Sequence, residues 1–168
     1  FPALRRPAHR LPAAPPTHGR ELDPIGQLRV ATLLRAVESP AQLFERMVEF
    51  WSDHFNITAS GVLQALKVVE DRVVMRRHAL GRFKDLLVAD ASSPAMLVYL
   101  NNAVSRRGGI NENYGRELLE LHTLGHDGGY RYQDIVATAR LFTGWTVDAR
   151  GAFVFRPEWH DPGPVRIM

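Results

Sequence analysis

Residues 111–125, NENYGRELLELHTLG, carry two carboxylates and an imidazole on one short amphipathic stretch. Glu117 and Glu120 are three residues apart, which makes their carboxylates neighbours on a helix. Two adjacent carboxylates at the edge of a core can share a proton, bind a cation or hold arginines. On a helical wheel, His122 flanks the other side of the same apolar stripe. The spacing therefore permits acid–base or metal chemistry at this segment.

The two glutamates also have a purely structural interpretation. In it they form ion pairs with arginines such as Arg116 or Arg140 and fix the packing of helices. Ion-pair networks perturb carboxylates as functional sites do, so the residue types alone do not separate the two interpretations. The sequence favours bracing, because a packing role explains every residue of note.

A metal site inside this segment does not fit the known ligand spacings. Glu117 and His122 are five residues apart and Glu120 and His122 are two apart, whereas a di-iron bundle uses Glu-x-x-His. No His-Glu-x-x-His zinc motif occurs in the chain. A divalent metal would therefore need ligands from separate helices, and the candidates are His54, Glu117 and Glu120. Since His54 shares an apolar helix face with Trp51, a hydrogen-bonded place at the core boundary is favoured for it.

A second pair of chemistry-bearing residues stands in the turn HDPGP at 160–164. The turn presents the imidazole of His160 beside the carboxylate of Asp161, as an acid/base or ligand pair would require. Alternatively, Asp161 caps backbone N–H groups while the prolines fix φ. Loops carry function disproportionately, so both interpretations stay open. The candidate catalytic residues are therefore Glu117, Glu120, His122, His160 and Asp161.

The elements that must position these residues are mostly helices. Residues 1–22 are rich in Pro, Ala and Arg and predict an extended arm or linker, whereas residues 23–168 predict a partial helical domain. Alternation on both sides of 148–151 predicts a β-hairpin. The fold class is mostly α, an irregular multi-helix domain with a small late β-hairpin. Helices are predicted at about 24–38, 39–55, 62–78, 82–91, 93–101, 111–124 and 133–143, with N-caps at Asp23, Ser39, Ser93 and Asn111.

The helical wheel of 111–124 also predicts which of its residues are buried. Tyr114, Leu118 and Leu121 fall on one side and are expected in the core. Gly125 fits the position that follows a helix C-terminus.

Composition limits the functions that are available. With 168 residues and a net charge of +3, the chain fits one soluble globular domain. The lack of cysteine excludes disulfides, thiolate catalysis and cysteine metal sites. No apolar run approaches the ~20 residues of a membrane-spanning helix. Of the 21 basic residues all but two are arginine, which suits polyanion binding. Because they alternate with acids and no nucleic-acid-binding module is present, nucleic acid is disfavoured as a partner.

Several motifs together resemble the bacterial "domain of unknown function 1800" family over about 44–164. The resemblance implies a largely helical protein, usually much longer, from bacteria. It further implies an exported or periplasmic location and a sulfatase-like companion protein, and it implies no reaction. The motifs occur in family order as FWSDHF at 50–55, HALGRF at 78–83, SPAMLVYL at 93–100, the segment 111–125, LFTGW at 141–145 and HDPGP at 160–164.

The chain stops close after its Pro-Gly-Pro turn with no closing element, so we expect an excised fragment of a longer helical protein. Three hypotheses for function follow. The first is a non-catalytic helical module of an exported protein that acts in envelope assembly or partner binding. The second is a hydrolytic or metal-assisted enzyme, and the third is polyanion binding through arginines. The second requires one shared cleft for its side chains, namely His54, Glu117, Glu120, His122 and His160.

Overall fold

Helices make up most of the structure, a computed structural model that describes residues 1–11 and 23–168. The predicted mostly α fold with a late hairpin is confirmed. A π-helical segment, Asp71–Met75, joins the third and fourth helices, and another, Leu118–Thr123, extends the seventh. The helices are α1 (Pro24–Glu38), α2 (Gln42–His54), α3 (Leu63–Glu70), α4 (Arg76–His78), α5 (Phe83–Ala91), α6 (Pro94–Tyr99), α7 (Asn113–Glu117) and α8 (Tyr132–Leu141).

Of the four predicted N-caps, two form as expected and two are displaced. The Asp23 carboxylate accepts a hydrogen bond from the Gly26 N–H at 2.6 Å, and the Ser93 hydroxyl accepts one from the Met96 N–H at 3.1 Å. Ser39 does not cap α2 directly, because its hydroxyl accepts the Ala41 N–H within a preceding turn. The helix therefore begins three residues later than its signal, at Gln42. Asn111 Oδ1 accepts the Asn113 N–H at 2.9 Å in the turn before α7, whose N-cap is Glu112.

The main core lies where α2, α3, α5, α6 and α7 meet. Side chains in its centre have no solvent exposure, among them Phe55, Met75, Met96 and Tyr114. The ring of Tyr114 stacks on Phe142 with centroids 5.0 Å apart. The core therefore joins the N-terminal helices to α7 and to the residues that follow α8. None of the described helices is both long and apolar enough to cross a lipid bilayer.

The N-terminal segment is more compact than predicted. Residues 1–11 form two 3₁₀ turns instead of an extended arm, and Ala3 and Leu11 are buried against α1 and α3. The Ala3 N–H donates to Gln27 Oε1 at 3.0 Å, and Arg72 donates to the Leu4 carbonyl at 2.8 Å. These tertiary contacts hold the proline-rich turns in place. The remainder of the predicted arm, residues 12–22, lies outside the described residues.

The helix predicted at 111–124 is present, but its second half is π-helical. The Leu124 N–H donates to the Leu119 carbonyl at 2.9 Å, five residues back along the chain. This wider turn changes which side chains face inwards. Leu121, predicted in the core, is 60% exposed, whereas His122 is only 5% exposed. An α-helical wheel was the wrong template beyond Glu117.

α7 and α8 pack closely enough to require a glycine. A Cβ atom on Gly115 would lie 2.7 Å from the Ile135 carbonyl oxygen and 2.8 Å from the Ala139 nitrogen. The backbones therefore touch without an intervening side chain. This contact sets the position of α8 and of the chain that follows it.

The predicted hairpin is confirmed, and its two strands form the small sheet of the described residues. Strands β1 (Trp145–Val147) and β2 (Phe153–Phe155) are antiparallel, with Trp145 opposite Phe155. In the connecting turn, the Asp148 carboxylate accepts the N–H groups of Arg150 and Ala152. The turn residues thus satisfy their own backbone, as their types predicted.

Candidate functional site

A polar cleft of about 630 Å³ opens between the C-terminal end of α2, helix α6 and helix α7 with its π-helical extension. Residues far apart in sequence meet there, because the core packs these elements against one another. Its volume falls within the usual range of small-molecule sites. Six side chains that matter for its chemistry line it, namely Asp53, His54, Tyr99, Asn113, Glu117 and His122.

His54 is oriented in the polar cleft by the backbone of the π-helical segment. Its Nε2 lies 3.1 Å from the carbonyl oxygen of His122. A carbonyl oxygen only accepts hydrogen bonds, so Nε2 carries the proton and donates it. In the neutral ring the lone pair is then on Nδ1. The sequence analysis placed His54 at the core boundary with a hydrogen bond, and the structure shows that bond.

His122 is a buried, uncharged imidazole at neutral pH. Burial, assisted by the neighbouring His54, lowers its pKa from 6.5 to about 4. Its ring packs edge-on against Phe55 at 5.1 Å. The Nδ1 atom is buried and has no hydrogen-bond partner among the described residues. An unpartnered buried ring nitrogen beside a cleft is the kind of group that a bound ligand or water satisfies.

Glu117 has no partner in the polar cleft. The carboxylate is half-buried and makes neither a hydrogen bond nor an ion pair with any described residue. Burial raises its pKa above 4.5, the nearby Glu120 raises it further, and Arg116 opposes both effects. The predicted pairing with arginines is wrong for Glu117. Arg116 forms no ion pair with it, and Arg140 pairs with Asp161 instead.

Glu120 lies outside the polar cleft. Its Oε1 is 2.9 Å from Nδ1 of the exposed His126, whose pKa it raises. The predicted arginine partner is therefore replaced by a histidine in the following loop. The candidate metal ligands His54, Glu117 and Glu120 do not converge, and the described chain holds no cluster of three acids or histidines arranged to bind a metal ion.

His160 and Asp161 brace the C-terminal turn instead of lining the polar cleft. Arg140 forms two hydrogen bonds to the Asp161 carboxylate, at 3.0 and 3.1 Å. Together with the Gly163 N–H, this pairing lowers the pKa of Asp161 to about 2. His160 donates from Nδ1 to the Thr143 carbonyl at 2.9 Å. The capping interpretation thus accounts for Asp161, and the local contacts account for His160.

The sequence analysis did not single out several polar residues of the cleft. Asp53 lies beside His54 in the motif FWSDHF, and Tyr99 lies within SPAMLVYL. The Tyr99 hydroxyl is 3.5 Å from the Thr58 hydroxyl. Three of the motifs that carry the family resemblance, 50–55, 93–100 and 111–125, therefore each contribute to the cleft.

A buried ionic cluster was also missed. Lys67 Nζ and Glu70 Oε2 are 2.8 Å apart, in ionic contact without hydrogen-bond geometry. Asp90 is fully buried, and neither of its carboxylate oxygens accepts a hydrogen bond from a described residue. Burial raises the pKa of Asp90, and Glu70 raises it further while Lys67 opposes. One cation thus faces two carboxyl groups inside the core.

The whole arrangement can be compared with known proteins. The model of the family "Protein of unknown function (DUF1800)" matches residues 6–168. The chain belongs to this family. A search of curated proteins and a search of solved structures found no match. In this DUF1800 chain, the match includes all the elements that form the polar cleft and the compact residues from Arg6 to Leu11.

Proposed function

We propose that the polar cleft is an acid–base site at which the protein hydrolyses a small polar substrate. The observation that carries this proposal is that His54, Glu117 and His122 line one cleft. Perturbed acids and imidazoles within one cleft are typical of catalytic sites. Glu120, His160 and Asp161 have partners elsewhere, so the proposed machinery is smaller than the sequence indicated.

Each group has a role that its surroundings support. His54 Nδ1 takes a proton from a water molecule, whose oxygen attacks the electrophilic centre of the substrate. The protonated Glu117 carboxyl donates its proton to the leaving group as the scissile bond breaks. A raised pKa increases the protonated fraction of Glu117 at any given pH. Solvent then carries the proton from His54 back to Glu117, which restores both groups.

His122 positions His54 and stays neutral. Its carbonyl oxygen fixes the proton of His54 on Nε2. Because the pKa of its own ring is about 4, it does not compete for the proton that His54 removes. This division of roles depends on the π-helical turn, which brings both the carbonyl and the ring of His122 to the cleft.

A panel of p-nitrophenyl esters, phosphates and glycosides tests the proposal. For any probe that is turned over, Glu117→Gln should lower kcat/KM about 100-fold or more, the range of one general acid. Glu158→Gln is the control, since this exposed glutamate lies outside the cleft and is not among the groups that shift the pKa of Glu117. Turnover of all probes that is insensitive to Glu117→Gln, or absent altogether, would count against a hydrolytic site.

A second candidate function is partner binding in envelope assembly. It is supported by apolar side chains that are exposed on α1 and at the start of α2, namely Leu33, Val37 and Leu43. Contiguous exposed apolar surface is typical of protein interfaces. An exported location and a sulfatase-like companion belong to this proposal. Leu33→Glu with Val37→Glu should abolish co-purification of a partner, whereas Glu117→Gln should not.

Polyanion binding through arginines stays a prediction. Some of the arginines are engaged within the fold, as Arg76 is by Glu45 and Arg140 by Asp161. Heparin retention that declines with salt would favour this function.

A further inference from the structure

The polar cleft contains two carboxylates and no cation to neutralise them. Asp53, at the end of α2, and Glu117, on α7, both line it. Neither carboxylate forms an ion pair with a described residue. Arg116 is not among the residues that line the cleft. It lowers the pKa of Glu117 by less than burial and Glu120 each raise it. Asp53 also borders a groove that contains arginines, but none of them pairs with it.

In the described part of the chain, the remaining lining contains no residue with a permanent positive charge. No arginine or lysine is among the described residues that line the cleft. His122 is uncharged there, because the pKa of its ring is about 4. Clefts lined by one sign of charge concentrate ligands of the opposite sign and repel those of the same sign. Phosphate, sulfate and carboxylate groups are therefore disfavoured, and a protonated amine is favoured.

The uncharged polar groups suit a ligand with several hydroxyls. Thr58 and Tyr99 present two hydroxyls 3.5 Å apart, each able to donate and to accept. Asn113 donates its Nδ2 to the Leu100 carbonyl at 3.3 Å, which leaves its Oδ1 as an acceptor. Asn56 also lines the cleft. Groups that donate and accept hydrogen bonds match sugar hydroxyls, which also donate and accept them.

We propose that the polar cleft binds an amino sugar, with its protonated amine beside Asp53, its glycosidic oxygen beside Glu117 and its hydroxyls on the uncharged polar groups. This inference rests on the hydrolytic function proposed above and makes its substrate class an amino-sugar glycoside. Water then adds its oxygen to the anomeric carbon and gives a proton to His54. The bond from that carbon to the leaving oxygen breaks, and the leaving oxygen takes the proton of Glu117.

Binding of three matched sugars tests the charge preference directly. Glucosamine, glucose and glucuronate share a ring and differ in carrying a positive charge, none or a negative charge. Titrations followed by calorimetry at about pH 6.5 keep the amine protonated and the carboxylate ionised. Glucosamine should bind about tenfold more tightly than glucose, the usual gain from a hydrogen bond to a charged group. Glucuronate should show no saturable binding.

Variants assign that preference to the cleft. Asp53 is exposed, so Asp53→Asn leaves the core intact and should reduce the glucosamine preference about fivefold or more. Glu158→Gln, at an exposed glutamate outside the cleft, should leave the preference unchanged. Equal affinities for glucosamine and glucose, tighter binding of glucuronate, or a preference that survives Asp53→Asn would each overturn the proposal.

The binding result and the hydrolytic proposal fail separately. Turnover of an uncharged probe that depends on Glu117, without a preference for glucosamine, overturns the ligand class and leaves hydrolysis standing. A preference for glucosamine that Asp53→Asn removes, without turnover of any amino-sugar glycoside, supports the ligand class and contradicts hydrolysis.

Discussion

The polar cleft and the C-terminal turn contain the same residue types in opposite situations. In the turn, Asp161 is held by Arg140 and by the Gly163 N–H, and His160 by Thr143. In the cleft, Glu117 has no partner among the described residues, and the one hydrogen bond that they make with the His54 ring leaves Nδ1 available. An acid and an imidazole do chemistry only when their protons and lone pairs are not already engaged. The presence of unsatisfied groups therefore distinguishes the two regions better than residue type does.

Removing one imidazole from each region should give the largest contrast. His54→Gln keeps a side-chain N–H that can reach the His122 carbonyl but loses the basic Nδ1. For a probe that is turned over, kcat/KM should fall about 100-fold. His160→Gln is the counterpart in the turn and should change kcat/KM less than about twofold. Steady-state kinetics of both variants measures these changes, and an equal loss of kcat/KM in the two would contradict the contrast between the regions.

The pH dependence of stability should report on His122. Since its pKa is about 4 in the folded protein and 6.5 otherwise, the unfolded chain binds more protons between these values. The free energy of unfolding therefore falls as pH falls through this window, by about 2–4 kcal/mol at ~1.4 kcal/mol per pKa unit. In His122→Gln this contribution is absent. Urea unfolding at about pH 7 and pH 4.5 measures the difference, and parallel pH profiles of the two proteins would refute a buried neutral imidazole.

The buried cluster offers a third situation, in which an acid, Asp90, accepts no hydrogen bond from a described residue and is closed to solvent. Burial and Glu70 raise the pKa of Asp90. An acid with a raised folded pKa contributes stability at low pH that is lost as pH rises. Asp90→Asn removes the titrating group. The free energy of unfolding of the variant, relative to that of the parent protein, should therefore rise by about 1 kcal/mol or more from pH 4 to pH 8. Glu158→Gln, at an exposed glutamate, should show no such trend, and an Asp90→Asn profile as flat as that control's would contradict a buried acid.

The smallest effect is expected from the paired acid of the turn. Arg140 lowers the pKa of Asp161 to about 2, so the stabilisation is present above the ordinary pKa of 3.8 and is lost as pH falls towards 2. Partly exposed ion pairs contribute little. Asp161→Asn should lower Tm by about 1–3 °C at pH 7, with no change in turnover of a probe. A drop in kcat/KM without a drop in Tm would move Asp161 from the bracing region to the functional one.

Sequence patterns predicted the elements well where the signal is local. Asp23 and Ser93 cap the helices that they precede, and alternation around Asp148 forms the hairpin. The π-helical turn has no such signal, so Leu121 was assigned to the core and the burial of His122 was missed. The burial of His122 involves contacts with His54 and Phe55 at the end of α2, which periodicity within one segment does not encode.

The candidate site was predicted only in part for the same reason. His54, Glu117 and His122 were named, but the cleft exists because the fold brings the C-terminal end of α2 and α7, about sixty residues apart in sequence, to its two sides. Glu120 and His160 looked equally suitable in sequence, and their partners His126 and Thr143 decided their roles. Those partners come from loops and neighbouring helices whose placement follows from tertiary structure.

The glycine at the contact of α7 with α8 restricts how this fold can vary. The two backbones touch directly, so Gly115 tolerates no larger side chain unless α8 moves away. A binding preference can then vary more readily at the exposed residues of the loop after α2, such as Asn56 and Thr58. The backbone of α7, the helix that carries Glu117, is thus constrained in position, whereas the loop on the opposite side of the cleft is not held by such a contact among the described residues.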